Sequence, residues 1–417
     1  MTSKPPECFV YITLPRATSA VTAGKFVLDR NRAGDPLGRF VYGRSYAENA
    51  QAVPIDPVEL KLADTTYETV LLNGVFGALR DSSPDFWGRR VIEKHAGKPQ
   101  LGEMDYLLQS ADDRAGALGF GLNNVPPAPL RKFNQTIDLA KLQELAEALV
   151  KDEIPSDPAA PQVQELLLLG TSMGGARPKA VVQDDEGLWV AKFNRPDDRW
   201  NNTRVEHAML RLARKCGINA AESRIETVGG KDVLLIKRFD RGKTDGGYTR
   251  ARMISGLTVL RAGETVDARA RWSYVILAEE LRRIVAEPKK DAQELFRRMC
   301  FNAMISNLDD HPRNLAIIAP DQHWKLSPAY DLTPSPVVAQ ERRDLAMQVG
   351  GQGRFANEKN VLSEHARFLL DKEAAEKITA DMGEAVRHWY DMARGCGVSE
   401  NDAETIRGAF LYPGFFL

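Results

Sequence analysis

The chain has 417 residues, 56 Lys and Arg against 57 Asp and Glu, and a net charge of −1, so it carries no overall basic field for nucleic acid. With 43% hydrophobic and 27% charged residues it has the composition of a soluble globular protein, and it is too long for one ordinary core, which predicts two or three domains. Cys8, Cys216, Cys300 and Cys396 form no C-x-x-C pair, and no stretch approaches the roughly 18 apolar residues of a membrane span. These features argue against a zinc site, a disulfide framework and any membrane contact, and predict a cytoplasmic location.

In chain order, "CFVYITL" and "GRFVYG" predict short strands. "PDFWGRRVIEKHAG" predicts a helix, with Pro84 near its start and Gly97 near its end. "NNVPPAPLRK", 123–132, reads as a linker, and Leu139, Leu142, Leu145 and Leu149 mark a helix ahead of the Pro-rich "IPSDPAAPQ". A Gly-rich loop follows, "GTSMGGARPK", then strands over Ala180–Gln183 and Leu188–Phe193 joined by the turn "DDEG". The next helix carries Val205, Met209, Leu212 and Ala213 on one face and stops at Gly217. "VLLIKRFDR" is a further strand. From about residue 250 the patterns are mostly helical, with Leu295, Phe296, Met299, Cys300, Ala303 and Met304 on one apolar face. No internal repeat interrupts the series.

The chemistry is densest in "SNLDDHPRNLAII", Ser306 to Ile318. Asp309 and Asn314 have the D-x-x-x-x-N spacing of a kinase catalytic loop, in which the Asp accepts a hydroxyl proton and the Asn binds a metal ion. A predicted hairpin then leads to Asp331, where kinases place a chelating Asp; Mg²⁺ prefers one or two carboxylates plus phosphate oxygens. Asp310 has two readings, assisting the metal or simply solvated, and His311 is expected to brace the loop. Upstream, Gly174 and Gly175 could bring backbone N–H groups to a phosphate, or could form a plain turn; Ala176 and Arg177 stand where a Walker A loop needs Lys and Ser/Thr. Lys192, on the second strand, must either face solvent or meet an anion. Glu206 could pair with it or lie on the helix surface. The basic clusters, "RLARK" at 211–215 among them, read as solvated helix faces.

Taken in order, these segments resemble the HipA family of toxin serine/threonine kinases of type II toxin–antitoxin systems. "GTSMGGARPKA", "WVAKF", "IKRFDR", "MISGLTVL", "SNLDDHPRN" and "PAYDLTPS" carry the resemblance, and "LRDSSPDFWGRRVIEK" and "DDRAGALGFG" are similar to the family's leading domain. The resemblance implies an α+β, two-lobed protein-kinase-like fold with an additional N-terminal mixed domain: residues 1–129, an ATP-binding smaller lobe at 130–244 and a helical catalytic lobe at 245–417. It implies Asp309 as catalytic base and Asn314 and Asp331 as Mg²⁺ ligands. Lys192 and the loop with Ser172, Gly174, Gly175 and Lys179 would hold the ATP phosphates. The backbone at Lys237 to Phe239 would form the adenine hinge, with Asp240 at the ribose, and Ser172 would be the site of inactivating autophosphorylation. Arg177 and Pro178 ahead of Lys179 depart from the family's loop. The implied partners are a protein substrate, an aminoacyl-tRNA synthetase such as the glutamate enzyme, and a HipB-like helix-turn-helix antitoxin, with operator DNA reached only through it. A small-molecule kinase of related fold and a catalytically silent corepressor are the alternative readings.

Overall fold

The computed structural model describes residues 5–129, 133–151, 177–336 and 339–417. The expectations placed on Ser172, Gly174, Gly175 and the stretch 154–162 lie outside those residues. The fold is α+β, as expected, and the chain forms two compact units. The first comprises residues 1–195, 237–254 and 318–323; the second comprises 196–236, 255–317 and 324–417.

The first unit opens with an antiparallel sheet in the order β4-β3-β2-β1-β5, where β1 is Glu7–Thr13, β2 Ala20–Arg30, β3 Pro36–Tyr42, β4 Thr66–Thr69 and β5 Leu118–Gly121. Sequence reading foresaw β1 and β3. It missed β2, whose mixed polar and apolar residues give no clean alternation. Phe26 and Phe40 from the sheet meet Phe76 edge to face at 6.2 and 6.5 Å and fill the core of this layer. Helix α1 (Phe86–Ala96) buries Trp87, Val91 and Ile92 and ends at Gly97 with φ 62°, the stop read from the sequence. The Trp87 indole donates to the carbonyl of Lys179 at 3.3 Å, so α1 rests on the start of the next hairpin. Helix α2 is Glu103–Gln109, and α3 (Leu139–Val150) buries Leu139, Leu142 and Leu145.

The hairpin pairs β6 (Lys179–Asp184) with β7 (Gly187–Phe193), within a residue of the expected bounds. The segment 237–254 joins this unit through buried ion pairs. Arg238 is wholly buried and reaches Asp113 and Asp240; Arg241 bonds Asp240 at 2.7 Å, and Arg250 bonds Asp112 at 2.8 Å. The boundaries expected near 129 and 244 therefore fall inside one compact unit, because these charges tie residues 112–116 to 238–250.

In the second unit, α4 (Asn202–Lys215) buries Val205, Met209, Leu212 and Ala213 as its periodicity predicts, and β8 (Ser223–Val228) pairs antiparallel with β9 (Lys231–Lys237). Helix α5 (Tyr274–Ile284) packs on α6 (Pro288–Met304), and α7 (Lys372–Arg387) and α8 (Trp389–Gly395) follow. Every apolar residue foreseen on α6 is buried. So are Arg298 and Asn302 on the same helix, so α6 is the unit's central element rather than an amphipathic surface helix. No helix among the described residues is long and apolar enough to cross a membrane.

Removing Arg238 leaves Asp113 and Asp240 buried without their main counter-charge. We expect Arg238→Ala to lower unfolding free energy by about 3–5 kcal/mol, measured by urea denaturation against the unsubstituted chain.

Candidate active site

Helix α6 ends in a sharp turn. Ser306 takes φ 50°, and its hydroxyl donates to the carbonyl of Ala409 at 2.6 Å while accepting from Arg343 Nη1 at 2.8 Å. Asn307 Nδ2 donates to Asn302 Oδ1 at 3.1 Å, Asn302 Nδ2 donates to the Tyr274 hydroxyl at 2.9 Å, and that hydroxyl donates to Asp310 Oδ2 at 2.6 Å. The Ala346 N–H reaches Asp310 Oδ1 at 2.7 Å. Asp310 is therefore neither solvated nor aimed at a metal. It is 2% exposed and anchors the loop from below. Burial pushes its carboxyl up to about 7, against the lowering effect of these hydrogen bonds.

The neighbouring carboxylate has the opposite fate. Asp309 is exposed. Protein packed around it and the Asp331 carboxylate both raise it above the usual range, against the pull of His311. Asn314 Nδ2 donates to the Asp309 carbonyl at 2.9 Å, which leaves its Oδ1 as the acceptor of that amide. The Tyr330 hydroxyl donates to the Arg313 carbonyl at 2.9 Å, tying the loop to the segment that presents Asp331, itself at φ 59°. The structure thus brings Asp309, Asn314 and Asp331 together. Two carboxylates, one of which raises the other, and an amide oxygen suit a hard divalent cation that keeps phosphate or water as its remaining ligands. Among the described residues no three His, Cys, Asp or Glu side chains form a fuller cage. The His311 carbonyl accepts from Asn314 N–H at 2.8 Å and its ring lies 6.5 Å from that of Trp272, but its buried Nδ1 makes no hydrogen bond among the described residues, so the bracing expected of the side chain is not seen as a hydrogen bond.

Sequence reading did not foresee Tyr274, Asn302 and Tyr330 as supports of this loop. Gly256, within the quoted "MISGLTVL", is a third kind of support. Its N–H bonds the Leu315 carbonyl at 2.7 Å, and a Cβ there would stand 2.8 Å from the Pro312 carbonyl. The motif was visible; the close approach that requires glycine was not.

In the first unit, Lys179 and Lys192 are directly opposite in the β6–β7 register, 4% and 9% exposed. Directly paired residues share a face of the hairpin. Lys192 thus does not face solvent. Lys237 and Phe239 are half-buried; Lys237 Nζ lies 5.5 Å from the Trp189 ring centre, and the Arg238 N–H is taken by the Leu188 carbonyl at 2.9 Å. The expectation for Asp240 needs correction. Its carboxylate is 2% exposed and accepts from Arg238, Arg241 and the Gly116 N–H at 2.9 Å. Burial opposes its charge, but Arg238 and Arg241 outweigh that and hold it below the usual range, so it is an internal ion-pair partner rather than a ribose ligand. Of the two readings of Glu206, pairing with Lys192 or lying on the helix surface, the second does not hold: it is buried at 4% exposure on α4.

This fold and this loop define a two-lobed, kinase-like α+β protein. A family model described as the HipA-like C-terminal domain matches residues 171–390, and one described as the HipA N-terminal domain matches residues 18–121. The chain belongs to the HipA family. It is 25% identical over 343 residues to a Sinorhizobium fredii protein named "Putative kinase Y4mE", covering 78% of each chain. It is 26% identical over 218 residues to "Toxin YjjJ" of Escherichia coli, covering 47% of this chain and 48% of that one. Its fold matches the HipA chain of a Shewanella oneidensis toxin–antitoxin complex of HipA, HipB and operator DNA, with a TM-score of 0.67 at 15% identity and 95% coverage of both chains.

Because the raised Asp310 carboxyl favours its protonated form in the folded state, its contribution to stability is complete below the ordinary value of 3.8 and is lost as pH rises through about 7. We expect Asp310→Asn to flatten this part of the pH dependence of unfolding free energy between about pH 4 and 7, measured by urea denaturation across that range.

Proposed function

We propose that the protein is an ATP- and Mg²⁺-dependent serine/threonine protein kinase acting as the toxin of a toxin–antitoxin module. The observation that carries this reading is the loop in which a pinned Asp310 leaves Asp309 exposed beside Asn314 Oδ1 and Asp331. ATP supplies the phosphoryl group, and Mg²⁺ would neutralise charge on its phosphates. Asp309 accepts the proton of the substrate hydroxyl. Asn314 and Asp331 offer the hard oxygens that hold the metal. Lys192 and Lys179 present positive charge to phosphate oxygens, and the backbone from Lys237 to Phe239 receives the adenine. Catalysis then rests on positioning and charge stabilisation more than on covalent chemistry by the protein.

An aminoacyl-tRNA synthetase, such as the glutamate enzyme, is the proposed substrate, from the family resemblance. A HipB-like antitoxin is the proposed partner, supported by the fold shared with the HipA of the Shewanella complex, and operator DNA would be reached through it. Ser172 is the proposed site of autophosphorylation. A phosphate there adds about −1.5 to −2 charges beside the ATP phosphates and would repel them.

With labelled ATP, Mg²⁺ and cell extract, we expect label on this chain and on one extract protein, reduced about 10²- to 10⁴-fold in Asp309→Asn. Equal labelling by that variant would refute Asp309 as base, and label confined to small metabolites would refute the protein substrate. Asn314→Ala and Asp331→Ala should each weaken the dependence of ATP affinity on Mg²⁺, measured by calorimetry with and without the ion. Peptide mapping after incubation with ATP should place phosphate on Ser172 in the active chain and not in Asp309→Asn.

A further inference from the structure

The basic cluster on α4, read from sequence as a solvated helix face, lines a concavity. Arg204, His207, Arg211 and Arg214 recur three and four residues apart, so they form one stripe opposite the buried apolar face. Facing them are Ser223 and Arg224 of β8 and the turn Gly395–Gly397 after α8. Together they line an open depression of about 570 Å³.

The walls are fixed. Arg204 binds both carboxylate oxygens of Asp232 and donates Nη1 to the Cys396 carbonyl at 3.3 Å. Gly397, at φ 81°, makes room for it: a Cβ there would stand 2.0 Å from Arg204 Nη1. His207 Nδ1 and Ser223 Oγ are 3.0 Å apart and join the helix to the strand.

The charge is not balanced. Arg204 has Asp232, and Arg224 has Glu226 at 3.1 Å. Arg214 instead donates to two neutral acceptors, the carbonyls of Ala220 at 3.2 Å and of Ala221. Arg211 is exposed, and its contact among the described residues is the Cys396 thiol at 3.7 Å. Two guanidinium groups thus enter the cavity without a carboxylate. His207 registers the resulting field: burial first, then Arg211, Arg214 and Arg204, push it down to about 4, so it stays neutral near pH 7.

We propose that this cavity binds a phosphate-bearing anion, with Arg211 and Arg214 as the charge-compensating groups and the Ser223 hydroxyl and His207 as its hydrogen-bonding floor. Guanidinium forks match phosphate oxygens two at a time. None of these residues is Asp309, Asn314, Asp331, Lys179 or Lys192, so the site is independent of the proposed phosphoryl-transfer chemistry. The ligand is either a free polyphosphate or the diphosphate of a nucleotide.

The test is calorimetric titration of the full chain with inorganic pyrophosphate, in EDTA and at constant ionic strength. We expect one-to-one binding that Arg211→Gln weakens by about tenfold or more. Arg211 is exposed, so its loss should leave packing intact, which thermal unfolding would check. Arg283→Gln, on the solvated face of α5, should bind as the unsubstituted chain does. Lys192→Ala should also retain binding. No binding by the unsubstituted chain, equal affinity in Arg211→Gln, or loss of binding in Lys192→Ala would each overturn the proposal. In the Lys192→Ala background, displacement of pyrophosphate by ADP assigns the site to nucleotides, and failure to displace it assigns the site to free polyphosphate.

Discussion

The loop from Ser306 to Asn314 hangs from one buried carboxyl. Asp310 sits between the Tyr274 hydroxyl and the Ala346 N–H, and Asn302 and Asn307 extend that contact back into α6. A carboxyl in such a place is costly unless it is hydrogen-bonded or protonated; here both oxygens accept hydrogen bonds and burial favours the protonated form. The fixed loop can then hold its next-door residue, Asp309, outward. Two adjacent, chemically identical side chains so acquire opposite surroundings, one a buried anchor and the other exposed.

The first unit solves a similar problem with ions. Arg238, Arg241, Asp113 and Asp240 are almost wholly buried, and each guanidinium meets carboxylate or carbonyl oxygens. Such a cluster is weak evidence for net stability, because desolvation offsets most of the Coulombic gain. It does fix geometry, since no member can leave without stranding its partner's charge. Here it sets the course of the chain from Arg238 to Arg250, directly after Lys237. The hinge segment expected there is therefore held by residues far away in sequence, at 112 to 116.

On α4, burial and charge are divided by helical period. One stripe supplies apolar packing, and the other supplies arginines whose carboxylate partners are too few. A solvated stripe would need no such construction. Gly397 gives way to Arg204, and Asp232 orients it, which makes the stripe one wall of a cavity.

The chain by itself determined its hairpin strands, the apolar faces of α3, α4 and α6, and the order of its motifs, because these depend on periodicity and on neighbours close in sequence. It also singled out Asp309, Asn314 and Asp331, since the spacing of a loop and a following hairpin is local. It could not distinguish Asp309 from Asp310, because only Tyr274 and Ala346, 36 residues away on either side, decide which one is desolvated. It could not place Asp240 or Glu206 either: burial of a charged residue depends on what packs over it. The arginines of α4 are a different case: Arg211 and Arg214 are exposed, as a solvated face requires, and only the packing of β8 and of the turn after α8 beside them makes that face one side of a concavity. Local pattern fixes which side chains a segment offers; only tertiary packing decides which of them lose water, and that loss governs their charge and their chemistry.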